Sequence, residues 1–329
     1  MRFPRFAAVG GAMALTVASL IVPAEAASAS DHVENVSESI ARLAPPVGSP
    51  VRVHVRDGVL VADSGSATLP LTGSGRLQIV NGKQDRPGLI DLPDVTLSLP
   101  SEAGVATARA SVSNNGTVVY RGTRSVDVAV QATHTGVRVQ TVIADSNAPK
   151  EYTYKIEGTV PTLNSDGSVD LNLPVGGGLL ASVGHLDAPW AVDATGMRVP
   201  TAYRVDGSNV IQSVDVLAAR AFPVVADPNF QSNCVWYGLC YIRFNKAMTN
   251  EIAHKTGIAG IVVGLTALSG GTLATVAAVV AARLGISSLN AAYYMGRNNC
   301  FGYYFPVYAW LNPWSWADME VMNGTYNCA

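Results

Sequence analysis

Four residues have the type and spacing for oxidative chemistry: Cys234, Cys240, Cys300 and Cys328, all in the last third of a 329-residue chain. An even set of cysteines in an oxidising compartment is expected to form two disulfides, and three pairings are open from sequence alone. Five residues separate Cys234 from Cys240, so a bond between them closes a local loop. A bond from Cys300 to Cys234 or Cys240 would instead clamp the two ends of the chain lying between them. Zinc is the competing use of clustered cysteines, but the chain has no C-x-x-C and no paired histidines at ligand spacing, so no metal is expected.

Other reactive constellations are few. There is no G-x-S-x-G elbow, no phosphate-binding P-loop and no H-E-x-x-H helix. The histidines His32, His54, His134, His185 and His254 are scattered. His185 and Asp187 form the only close His–carboxylate pair of the middle region, and without a nucleophile they read as a solvated surface pair. Asp227-Pro228 carries one reaction of its own. An aspartate carboxylate can attack its own carbonyl carbon, and proline nitrogen is a comparatively good leaving group. The competing reading is that Pro228 ends a strand, because proline has no N–H to give to a ladder. No catalytic residue and no cofactor is assigned, and the chain reads as non-enzymatic.

Composition limits the function classes. Charged residues are 14% of the chain, hydrophobic residues 48%, and the formal net charge is −2. That balance excludes a protein working through a basic surface on nucleic acid. Low charge with many small residues excludes a coiled coil. Arg2 and Arg5 precede an uncharged, apolar run from Phe6 to Val22, followed by small-x-small sites ending at Ala26 and Ala29. This pattern predicts a signal peptide over residues 1–29, cleavage after Ala26 or Ala29, and a secreted or cell-surface mature protein in which disulfides persist.

The chemistry-bearing residues need elements to hold them. Residues 30–50 are expected to be a linker with a short helix, Asp31 to Leu43, capped by Asp31 and stopped by Pro45-Pro46. Residues 51–227 read as β. Val51-Arg52-Val53-His54-Val55-Arg56 alternates with the period of a half-buried strand, and Asp57-Gly58 before Val59-Leu60-Val61 predicts a two-residue hairpin turn. Asn115-Gly116 and Asp206-Gly207 repeat that signal. Strands so punctuated predict an antiparallel β-sandwich-like module within an α+β chain of several parts.

From Asp187 the chain runs Asp-Ala-Pro-Trp-Ala-Val-Asp-Ala-Thr-Gly to Gly196, and from Pro223 it closes with Pro-Val-Val-Ala-Asp-Pro at Pro228. This stretch resembles a module of secreted actinobacterial proteins whose β region ends in a Val-Val-Ala-Asp-Pro signature before a variable, cysteine-containing C-terminal region. The resemblance implies secretion and a two-part layout. It carries no assigned activity and transfers no catalytic residue.

Residues 228–329 are the expected second part, a small disulfide-stapled domain. Acids outnumber bases from Ser30 to Asp227, and bases outnumber acids from Pro228 onward, where most aromatic residues also lie. Thr256 to Ala282 contains no charged residue and is broken by Ser269-Gly270-Gly271, which predicts an apolar hairpin of two helices. Gly260 and Gly264 form a GxxxG pattern, which lets backbones approach closely in membranes. Each arm is shorter than the roughly 20 apolar residues needed to span a bilayer core. The hairpin is therefore either the buried core of the small domain or a segment held soluble until it meets a membrane lipid. Trp310, Trp314 and Trp316 in the aromatic tail suit a membrane interface, a cell-envelope contact surface or core packing.

Overall fold

The structure, a computed structural model, describes residues 24–44, 50–80, 94–176 and 179–232, the strand segments 234–235, 239–244 and 302–306, and residues 250 and 254. Helix α1 (Ala24–Leu43) is followed by β1 (Val53–Arg56), β2 (Val59–Ala62), β3 (Ala67–Leu69), β4 (Arg76–Ile79), β5 (Val95–Ser98), β6 (Ala110–Val112) and β7 (Val118–Tyr120). Longer strands come next: β8 (Val126–Ala132), β9 (Gly136–Ile143), β10 (Glu151–Glu157), β11 (Val160–Leu163), β12 (Val169–Gly176) and β13 (Leu179–Leu186). The chain continues through β14 (Ala191–Val192), β15 (Thr201–Asp206), β16 (Asn209–Val214), β17 (Val224–Ala226), β18 (Asn229–Ser232), β19 (Cys234–Val235), β20 (Leu239–Phe244) and β21 (Gly302–Pro306).

These strands make two antiparallel sheets, as the alternation predicts. The 8-stranded sheet runs β1-β2-β3-β4-β5-β10-β16-β15. The 13-stranded sheet runs β11-β12-β13-β18-β9-β8-β7-β6, with β14, β17, β19, β20 and β21 attached. Alternate residues of both sheets meet in one apolar core: Leu77, Leu97, Tyr152, Tyr154 and Ile156 from the smaller sheet, Val128, Val130, Val137, Val139 and Phe230 from the larger. Tyr154 and Phe230 cross the gap edge-to-face with ring centroids 6.0 Å apart. Such a pair contributes about 0.5–1.5 kcal/mol beyond its burial.

The helix covers the opposite face of the larger sheet. Val33, Val36 and Ile40 fall on one helical stripe and pack on Val119, Ala129, Val142 and Val225. Its C-terminal end lies where the sequence places it, just before Pro45-Pro46. Its start differs, because Asp31 lies inside the helix rather than at its cap. The physical reason is local. Ala24 to Ser30 holds no Gly or Pro, so nothing breaks the helix for Asp31 to cap.

The turns follow their sequence signals with two adjustments. Asp57 and Gly58 both take positive φ, 50° and 79°, and join β1 to β2 in the register Arg56↔Val59. This is the type I′ geometry that matches strand twist. At the second site the loop spans Ser113 to Thr117, and Asn115 Oδ1 accepts from the Thr117 amide and hydroxyl. Side-chain bonding there outcompetes a tight turn. At the third, Asp206 pairs with Asn209, so Gly207 and Ser208 are the turn residues.

Position 228 is not an end of the larger sheet. β17 and β18 both pair with β9, Ala226 opposite Thr141 and Asn229 opposite Arg138, so the register runs on through Asp227 and Pro228 without a slip. The Val139 amide donates to Pro228 O at 2.8 Å. Pro228 interrupts the ladder only by lacking an N–H. β18 then lies between β9 and β13. The change of composition at Pro228 thus falls inside one sheet, and Phe230 belongs to its core.

Candidate functional site

Asp227 is the most distinctive polar residue of the described chain. It is 1% exposed and joins three elements. The Trp190 amide, just before β14, donates to Oδ1 at 2.9 Å. The Gln212 side chain, on β16, donates to the same oxygen at 2.9 Å. The Tyr203 hydroxyl, on β15, donates to Oδ2 at 3.1 Å. One carboxyl on the larger sheet therefore ties down two strands of the smaller one. Gln212 also donates to Thr201 Oγ1 at 3.1 Å, so its amide nitrogen serves both contacts.

Electrostatics and burial oppose each other here. Burial pushes the Asp227 carboxyl up to about 7, while the donors from Trp190, Tyr203 and Gln212 pull it down. Burial also pushes the Tyr203 hydroxyl far up, so it stays a donor. Arg138 on β9 is lowered by its own burial, and the charges of Asp227 and Asp187 work against that lowering.

Asp187 begins a second cluster on the same sheet. Its Oδ2 accepts from Asn229 Nδ2 at 2.7 Å and from Gln231 Nε2 at 2.9 Å. His185 is not the solvated partner expected from the sequence. Its side chain is 17% exposed, its Nδ1 lies 2.9 Å from Asp170 Oδ1, and Asp187 Oδ1 is 3.9 Å from Nε2. The cause is the β12–β13 register, which sets Asp170 opposite His185. Partners from across a sheet have no signature in linear spacing, so sequence reasoning named Asp187 and missed Asp170. It missed Tyr203 and Gln212 for the same reason, although a lone aspartate beside a core strand was an available signal.

The remaining predicted residues divide clearly. Ala26 and Ala29 lie in the first turns of α1, and Ala29 is exposed. Pro228 is buried beside Asp227. Cys234 and Cys240 stand directly opposite one another as register partners of β19 and β20. Cys300, Cys328, Gly260, Gly264, Trp310, Trp314 and Trp316 lie outside the described residues, as does the predicted apolar hairpin.

What the site can do chemically is limited. Both Asp227 oxygens are held by donors on other elements, and the flanking strands are locked on β9. A cut at Asp227-Pro228 would leave β17 and β18 each hydrogen-bonded to that strand. Among the described residues no group of three or more His, Cys, Asp or Glu is arranged to hold a metal, and no helix is long and apolar enough to cross a membrane. No family model, curated protein or solved structure matches the chain.

Proposed function

We propose that the chain is an exported, non-enzymatic protein whose β-sheets carry an apolar, membrane-directed segment. The supporting observation is the pairing of β20 with β21. Leu239 stands opposite Pro306 and Arg243 opposite Gly302. β20 is anchored in turn to β13, with Ala181 opposite Phe244. The chain that leaves at Phe244 returns at Gly302 beside its point of departure, and the uncharged run Thr256 to Ala282 lies in that excursion. Adjacent antiparallel strands fix both ends of a loop at strand spacing, about 4.7–4.9 Å. The sandwich supplies the rigid base, and the buried Asp227 joint holds its two sheets together. Lipid is the partner by this reading, with the aromatic residues Trp310, Trp314 and Trp316 suited to the interface.

Dye-loaded anionic vesicles mixed with the purified full-length mature chain test the proposal. Release that rises with protein concentration and falls on Val262→Lys supports it. Absence of release on both anionic and neutral vesicles, from acid to neutral pH, overturns it.

A further inference from the structure

The β19–β20 register reduces the three open disulfide pairings to one. We infer that Cys234 and Cys240 form a cross-strand disulfide at the base of the segment bracketed by β20 and β21, which leaves Cys300 to bond Cys328. The assignment takes its oxidising compartment from the exported reading above.

The argument is geometric. Cys234 pairs with Cys240, and Val235 with Leu239, in antiparallel register. Directly opposed residues in an antiparallel pair have Cα atoms about 4.5–5.5 Å apart. That lies within the roughly 4.4–6.8 Å that a disulfide spans. Opposed residues also present their Cβ atoms on one face of the sheet. On its other edge Cys240 stands opposite Phe305, not a cysteine. Gly302 stands opposite Arg243, three positions along β20 from Cys240. At roughly 3.4 Å per residue that is about 10 Å, beyond disulfide reach.

The reaction balances as thiol–disulfide exchange. The two thiols lose two protons and two electrons as the S–S bond forms. A donor disulfide, of the glutathione or oxidoreductase class, accepts them and is cleaved to two thiols. The bond staples the turn through which the chain enters β20, so one edge of that strand is held by β13 through its ladder and by β19 through sulfur, with β21 on the other edge.

Non-reducing peptide mapping tests this. The full chain is refolded in a glutathione redox couple, alkylated and digested with chymotrypsin, which cuts between the two cysteines at Trp236, Tyr237 or Leu239. The expected result is a peptide pair linked through Cys234 and Cys240 and another through Cys300 and Cys328. Cys240→Ser should then expose a single alkylatable thiol, Cys234, with the other link intact. A link from Cys234 or Cys240 to Cys300 or Cys328, or four reactive thiols after refolding, overturns the assignment. Correct links in refolded protein alongside reduced cysteines in cell-derived protein would count against export alone and leave the pairing standing.

Discussion

Asp193 and Asp227 are the same residue type, are each 1% exposed, and yet titrate in opposite directions. Asp193 closes a turn after β14. Its Oδ1 accepts from the Thr195 hydroxyl at 2.6 Å, the Thr195 amide at 2.9 Å and the Met197 amide at 3.0 Å, and its Oδ2 from the Arg220 amide at 3.0 Å. The Thr195 hydroxyl leads these donors in holding its carboxyl down at about 2. Asp227 has three donors and is pushed up to about 7 by burial. The surroundings explain the difference. Residues 195–198 beside Asp193 are exposed, whereas residues 224–230 around Asp227 are all buried. Donors stabilise a charge locally, but depth sets how much water the charge has lost. A surface turn is fastened by an ionised carboxylate, and the joint between sheets by one near its titration point.

The sharpest way to break this contrast is to remove the acceptor at the joint. Asp227→Ala leaves the Trp190 amide and the Tyr203 hydroxyl without this acceptor and Gln212 with Thr201 Oγ1 alone. Unfolding in urea should show a loss of about 2–4 kcal/mol, and a loss under about 1 kcal/mol would show that the joint does not hold the sheets. Tyr203→Phe removes one donor of the three and should cost about 1–2 kcal/mol in the same measurement.

Asp227→Asn separates shape from charge. The amide oxygen keeps the donors from Trp190 and Gln212, and its nitrogen can donate to Tyr203. The sign of the pH effect follows from the raised carboxyl. The folded group titrates near 7 and the unfolded one near the ordinary 3.8. Its contribution is complete below about pH 4 and is lost as pH rises through about 7. Thermal melts of the parent should therefore fall across that interval relative to Asp227→Asn, and parallel profiles would refute the assignment. The smallest effect is expected at the turn. Asp193 contributes stability above about pH 4 that is lost as pH falls through about 2. Asp193→Asn should flatten only that acid limb, leaving the neutral-to-alkaline melts parallel to those of the parent.

The sequence revealed the strands better than the site. Alternation in Val126 to Val130 and in Tyr152 to Ile156 identified core-facing residues because one face of each strand meets the other sheet. The Asp57-Gly58 turn was legible because only a few residues tolerate its backbone. Residue type changes at Pro228 while register does not, so composition alone does not mark where the sheet ends. Asp227 drew notice through its neighbour Pro228, but Tyr203 and Gln212 could not be matched to it. Their meeting depends on how two sheets face each other, which no local period encodes. Linear spacing likewise could not place Cys234 opposite Cys240, as the β19–β20 register does.

The uninterrupted pass along β9 also has a consequence for biogenesis. Arg138 waits for Asn229, and Val137 for Phe230, so the centre of the larger sheet is completed only by chain made much later. Contacts so distant along the chain slow closure. A polypeptide emerging N-terminus first would thus stay unsealed until most of it had been delivered, and a truncation before β18 should leave the β9 edge open to self-association.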